Sequence, residues 1–131
     1  MKSIPETHAD ILDKPTFAHL STLMSDGSPH TAPVWVDTDK GYVVINSAEG
    51  RLKDRNVRRD PRVAISMTDP ENPYRSLAIR GRVVKISNEG ADGHIDRMAK
   101  KYMGVDEYPY RTPNEVRVLY YIEPEKVSVT P

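Results

Sequence analysis

Residues 46–62 read NSAEGRLKDRNVRRDPR, and two residues in this stretch decide how the chain is built. Gly50 stands where an extended run gives way to a helical one, and Pro61 stops that helix before the next extended run. Between them lie six cations, Arg51, Lys53, Arg55, Arg58, Arg59 and Arg62, against three acids, Glu49, Asp54 and Asp60. The segment carries +3 in a chain whose formal charge is zero, so the other residues sum to −3. The positive charge is local.

Working outward, Gly and Pro punctuate short runs rich in Val, Ile, Thr and Tyr, the pattern of strands joined by tight turns. Ala18 to Met24 and Pro29 to Asp37 flank Ser25-Asp26-Gly27-Ser28, an Asp-Gly turn suited to a two-residue hairpin. A second turn at Asp39-Lys40-Gly41 feeds a strand from Tyr42 to Asn46. Beyond the basic segment come Val63 to Thr68, a loop marked by Pro70 and Pro73, and a long strand from Ser76 to Ser87. By the period-two rule Leu77, Ile79, Gly81 and Val83 share one face of that strand, with Arg80 and Arg82 on the other. Ile95, Met98 and Tyr102 recur at helical spacing within Ala91 to Met103, which Gly104 caps. A last strand runs from Val116 to Ile122 and resumes at Lys126 to Val129 after Pro124. The expectation is one mainly β domain spanning residues 1–131, with six strands and two or three helices.

At 131 residues the chain is sized for a single core. Near-neutral overall charge disfavours a polyanion partner, so no nucleic acid is expected despite the arginines and the candidate stacking residues Trp35, Tyr74, Tyr102, Tyr108, Tyr110, Tyr120 and Tyr121. The absence of cysteine excludes disulfides and thiolate chemistry. The four histidines, His8, His19, His30 and His94, form no HxH or HxxxH pair, so no metal site is expected. His30 is notable for preceding the segment Ala32–Trp35 by two residues. The polar, proline-broken N-terminus and the lack of a long apolar run predict a cytoplasmic protein that uses no membrane.

Two readings of the basic segment compete. Arg51, Arg55, Arg58 and Arg62 fall at helical spacing and could form a solvated face partly neutralised by Asp54 and Asp60. Alternatively, Gly50, the first amides of the helix and the adjacent Arg51 and Lys53 form a site for one phosphate, with Asn46 and Ser47 adding neutral donors on the approach. The spacing matches neither GxxxxGK[ST] nor GxGxxG, so such a phosphate is held in another way.

The combination of Arg51, Lys53, Asn56, Arg59, Asp60 and Pro61 resembles the corresponding segment of the pyridoxamine 5′-phosphate oxidase-like split β-barrel family, in its short deazaflavin-using branch. LSTLMSDGSPHTAPVW, RNVRRDPR, IRGRV and the closing KV-x-V appear in the family's order, so the resemblance covers nearly the whole chain. It implies a six-stranded split β-barrel that binds coenzyme F420, or alternatively FMN. It further implies a homodimer with cofactor sites at the interface and hydride transfer from reduced F420 to a small conjugated organic substrate. A non-catalytic carrier of F420 or FMN needs the same pocket. On this resemblance Arg51 and Lys53 grip the cofactor phosphate, with Asn46 and Ser47 beside them, while Asn56 supports the turn. Ala32, Pro33, Val34 and Trp35 run along the ring. Arg59, with Arg58 and Arg62, either attracts the acidic tail of F420 or pairs with local carboxylates. The substrate is set by loops such as residues 69–75 and 103–113, and no residue is singled out as a proton donor.

Overall fold

The computed structural model describes all residues, Met1–Pro131. Ten elements follow in order: α1 (Asp10–Asp13), β1 (Ala18–Leu23), β2 (Pro29–Val34), β3 (Asp37–Asp39), β4 (Tyr42–Ala48), α2 (Leu52–Arg59), β5 (Arg62–Asp69), β6 (Asn72–Ser87), α3 (Ala91–Met103) and β7 (Arg117–Thr130). The strands form one antiparallel sheet in the order β2-β1-β5-β6-β7-β4-β3. Its two edge strands, β2 and β3, are consecutive in the chain and separated only by Trp35 and Val36. Such a sheet must curl until its edges meet, which makes it a barrel split between β2 and β3.

Seven strands replace the expected six. The run Pro29–Asp37, read as one strand, breaks at Trp35-Val36, and its end forms the short β3 against β4. The proline-marked loop before β6 is a tight hairpin turn at Pro70-Glu71, and Pro73 lies within β6, beyond the residues that pair with β7. The last strand does not stop at Pro124. It bulges there, opposite Gly81, and continues to Thr130. A Cβ on Gly81 would lie 2.1 Å from the Glu123 carbonyl oxygen, so this approach admits only glycine. Helix α3 spans the expected residues and ends at Gly104 in the left-handed region.

The alternating pattern buries one face of the sheet. Leu20, Ile45, Ile65, Leu77, Ile79, Val118, Tyr120 and Ile122 fill the interior, joined by Ile11 and Leu12 of α1 and Val57 of α2. Tyr120 and Tyr121 point to opposite faces: the first is fully buried, whereas the second packs edge-on against Tyr42 on the outside. Helix α3 lies across the joint between β2 and β3. Its Tyr102 hydroxyl donates to Thr16 O (2.6 Å) and accepts from Val36 N–H (2.9 Å), and Lys101 Nζ donates to Leu12 O and Val36 O. These bonds fix the wall beside which a cleft opens.

Candidate functional site

The strand-to-helix turn after β4 is set by Asp54. Gly50 adopts φ +87°, a conformation that suits glycine, and its N–H donates to Asp54 Oδ2 at 3.0 Å. Asp54 also accepts from Tyr120 Oη (2.7 Å) and Arg58 Nε (3.0 Å). Burial opposes ionisation of this carboxyl, yet the bonds from Tyr120, Gly50 and Arg58 together hold it below the ordinary carboxylate range. The turn that carries Arg51 and Lys53 is therefore anchored to the barrel core.

Arg51 and Lys53 face a cleft that they share with Asn46 of β4, Arg117 of β7 and the chain from Pro33 to Trp35. Phe17, Ile95, Tyr108 and Tyr110 complete its apolar side. Trp35 stacks on Tyr102, with centroids 5.0 Å apart and 12° between planes, and Tyr108 meets Trp35 edge-on. One wall is thus aromatic and the other cationic.

Polar side chains behind the cationic wall lock its geometry. Arg117 is buried, and its Nε donates to Asn46 Oδ1 (2.8 Å) while its Nη1 donates to Glu115 Oε1 (2.5 Å). The same Glu115 oxygen accepts from Arg51 Nη2 at 2.7 Å. Asn46 Nδ2 donates to Ala91 O (2.9 Å) and lies 3.1 Å from His94 Nδ1. Because Arg117 and Ala91 fix the amide orientation, His94 Nδ1 must accept, which leaves the proton on Nε2, 2.9 Å from Asp37 Oδ2. Lys53 differs from its neighbours: it is half-buried and bonds to no carboxylate. Burial first, then the charges of Arg51 and Arg117, push its ammonium below the usual lysine range.

Of the residues selected from sequence, Pro33, Val34, Trp35, Asn46, Arg51 and Lys53 come together around this cleft. Ala32, Ser47, Asn56 and Arg59 do not line it. Ser47 is fully buried with an unpartnered hydroxyl. Asn56 is buried and donates to Thr22 Oγ1 (3.0 Å), and Arg59 donates to Leu23 O (2.9 Å) and Asn56 Oδ1 (2.8 Å). These two residues tie α2 to the β1–β2 hairpin. The arginine stripe does not form, because α2 ends at Arg59 and Arg62 lies in β5, paired with Asp60. Of the two loops expected to shape the substrate site, 103–113 reaches the cleft through Tyr108 and Tyr110, whereas 69–75 does not. His30 also stays out of the cleft, its Nδ1 buried without a partner.

Residues 4–130 match the sequence pattern of the family described as pyridoxamine 5′-phosphate oxidase. The chain belongs to this family. Among solved structures it is similar to an F420 reductase at 30% identity, with a TM-score of 0.83 and 95% of this chain and 98% of that chain covered. A conserved hypothetical protein from Mycobacterium tuberculosis superposes with a TM-score of 0.76 at 23% identity, covering 99% and 89%. A putative pyridoxamine 5′-phosphate oxidase from Listeria innocua gives 0.72 at 20% identity, covering 95% of each chain. These last two share the fold. No curated protein matches the chain significantly. Membership makes this a protein of the flavin- and deazaflavin-binding split barrels, and no helix in it is long and apolar enough to cross a membrane.

Sequence reasoning missed Arg117, Glu115, Phe17 and Ile95 as members or supports of the site, and reached Tyr108 and Tyr110 only as stacking candidates and as part of the 103–113 loop. Arg117 had a legible signal: it opens the otherwise apolar run RVLYYI, in which an inward-facing charge needs a partner. The position of Tyr108 and Tyr110 beside the cations was not legible, because residues 104–116 are not regular structure and their placement depends on Arg111 bonding to Asp92 and Asp96 of α3.

Proposed function

We propose that this protein is a cytoplasmic F420-dependent reductase that transfers hydride from reduced F420 to a small conjugated organic substrate. The observation that carries the reading is Lys53, a half-buried ammonium with no carboxylate partner, set beside Arg51 and Arg117 at one end of a cleft whose other side is aromatic. A buried cation without a counter-ion is costly unless a ligand supplies one. A cofactor with an anion on one end and a flat ring on the other matches that division. The 30% identity to an F420 reductase along nearly the full length of both chains favours the deazaflavin.

On this reading Arg51, Lys53 and Arg117 hold the phosphate, and Asn46 keeps the Arg117 guanidinium aimed. Pro33 offers a carbonyl but no N–H to the ring, so any amide donor there comes from a neighbour. Trp35, Tyr108 and Ile95 shield the ring from water. When bound, the reduced cofactor supplies the hydride. No side chain in the cleft is required as an acid, and solvent can provide the proton.

A second reading, FMN, is supported by the charge at the cleft. Three cations less Glu115 leave two positive charges, the complement of a phosphomonoester, which carries about −1.5 to −2. We infer a homodimer in either case. Phe17 and Tyr110 at the cleft are 58% and 65% exposed, an apolar rim suited to cover by a second copy. Titration with F420 and FMN side by side, followed by oxidation of the reduced cofactor with conjugated acceptors, tests the assignment. Tighter F420 binding with acceptor-dependent oxidation is expected; no binding of either cofactor would overturn it. Light scattering should give twice the 14.8 kDa chain mass, and a monomer at micromolar concentration would contradict the shared interface.

A further inference from the structure

Glu115 belongs to no regular element and does not line the cleft, yet it joins both guanidiniums of the cationic wall. One oxygen, Oε1, accepts from Arg51 Nη2 at 2.7 Å and from Arg117 Nη1 at 2.5 Å. These residues come from two neighbouring strands' ends, the turn after β4 and the start of β7, where Ala48 pairs with Arg117. The second oxygen, Oε2, is buried and has no hydrogen-bond partner. The side chain is only 8% exposed. A buried carboxylate that spends one oxygen on two arginines and leaves the other unused is placed for its charge as well as for its bonds.

We infer that Glu115 is a positioning residue that also limits affinity: it holds Arg51 and Arg117 from behind and cancels one of the three cations, so an incoming phosphate meets two positive charges instead of three. The inference rests on the phosphate-binding reading of Arg51 and Lys53. A ligand phosphate shares the Arg51 guanidinium with Glu115, since only Nη2 is engaged by the carboxylate and the side chain is 46% exposed. Glu115 therefore sets how firmly the phosphate end is gripped, without touching the ring. A site built this way binds its cofactor and still releases it.

Glu115→Gln separates the two roles, because the amide oxygen can still accept from both arginines while the charge is removed. The new amide group takes the place of an oxygen that had no partner, so no existing bond is lost. Binding should be measured with FMN against riboflavin, and with F420 against its phosphate-free deazaflavin core. Glu115→Gln should tighten the phosphate-bearing member of each pair that binds by about three- to tenfold and leave the phosphate-free member unchanged. The gain should shrink as salt is raised. Glu115→Ala, which frees the guanidiniums, should gain less than Glu115→Gln. Lys53→Ala distinguishes failure of this inference from failure of the reading beneath it. If Lys53→Ala weakens phosphate-dependent binding while Glu115→Gln leaves it unchanged or weaker, with thermal melting showing both folded, the role of Glu115 is overturned and the phosphate site stands. If neither variant changes binding, or the phosphate makes no difference to the unmodified protein, the phosphate site itself falls and this inference with it.

Discussion

Two charged clusters in this molecule differ in balance. At the barrel end near the N-terminus, Arg75 pairs with Asp10 (2.8 Å) and Asp69, and Lys14 pairs with Asp69 (3.0 Å), Asp10 (3.3 Å) and Glu71 (2.6 Å). Two cations there meet three acids, every charge has a partner, and the result is a clamp that ties α1 to the β5–β6 hairpin. At the cleft, Arg51, Lys53 and Arg117 meet only Glu115, and Lys53 has no partner. Matched charges hold parts of a chain together. Unmatched cations facing a cleft call for an anion from outside.

The largest effect that would break this contrast is at Asp54, which connects the site to the core. Asp54→Ala leaves Tyr120 Oη and Gly50 N–H without their acceptor and should cost ~2–4 kcal/mol of stability, read from chemical denaturation. It should also weaken cofactor binding, because the turn carrying Arg51 and Lys53 loses its anchor. A variant as stable as the parent would show that the turn is held by something else.

Next comes the clamp itself. Arg75→Ala should lower the melting temperature by several degrees and leave cofactor affinity unchanged, whereas a drop in affinity would erase the distinction between the two clusters. The clamp also sets an acid limit. The Glu71 N–H, then Lys14 and Arg75, hold the Asp69 carboxyl below its ordinary value against the opposing effect of burial. A carboxyl whose pKa is depressed in the folded state contributes stability that is fully present above its unfolded value, near 3.9, and is lost as pH falls through the lower folded value. Acid unfolding should therefore show a loss below about pH 4 that Asp69→Asn removes.

The cleft responds at the opposite end of the pH scale. Since burial and the neighbouring arginines lower the Lys53 pKa, the ammonium is lost at a pH below that of an ordinary lysine, and an anion favours the charged form. Affinity for a phosphate-bearing cofactor should fall as pH rises through that value, and Lys53→Arg should abolish the fall. The smallest effect is expected at Arg58, which already pairs with Asp54 at 3.0 Å and lies outside the cleft. Arg58→Ala should change affinity less than threefold, with any change gone at high salt.

The contrast also explains what was legible in the sequence. The clear strand periodicity, the α3 repeat and the turn at Gly50 rest on local rules, and each was read close to its observed position. The break at Trp35-Val36 was not legible, because it depends on Tyr102 and Lys101 of α3 reaching Val36 from 65 or more residues away. Arg51 and Lys53 could be singled out because glycine, helix start and cation are adjacent in the chain. Arg117 and Glu115 could not be joined to them by spacing, since Glu115 meets Arg51 across 64 residues. Asn56 and Arg59 show the converse: they stand within the recognisable motif, but the helix turns them onto the β1–β2 hairpin.

Lys53 is where the account is most exposed to test. A hydrogen bond to a charged group is worth roughly 1.5–3 kcal/mol, and each ~1.4 kcal/mol is about tenfold in dissociation constant. Lys53→Ala should thus weaken binding of F420, or of FMN, by about ten- to a hundredfold, with circular dichroism unchanged. Measured by calorimetric titration at two salt concentrations, that loss should persist at the higher salt, because the contact is half-buried. Affinity equal to the parent's, with the fold intact, would contradict the central claim that an unpartnered lysine at this cleft marks the phosphate site.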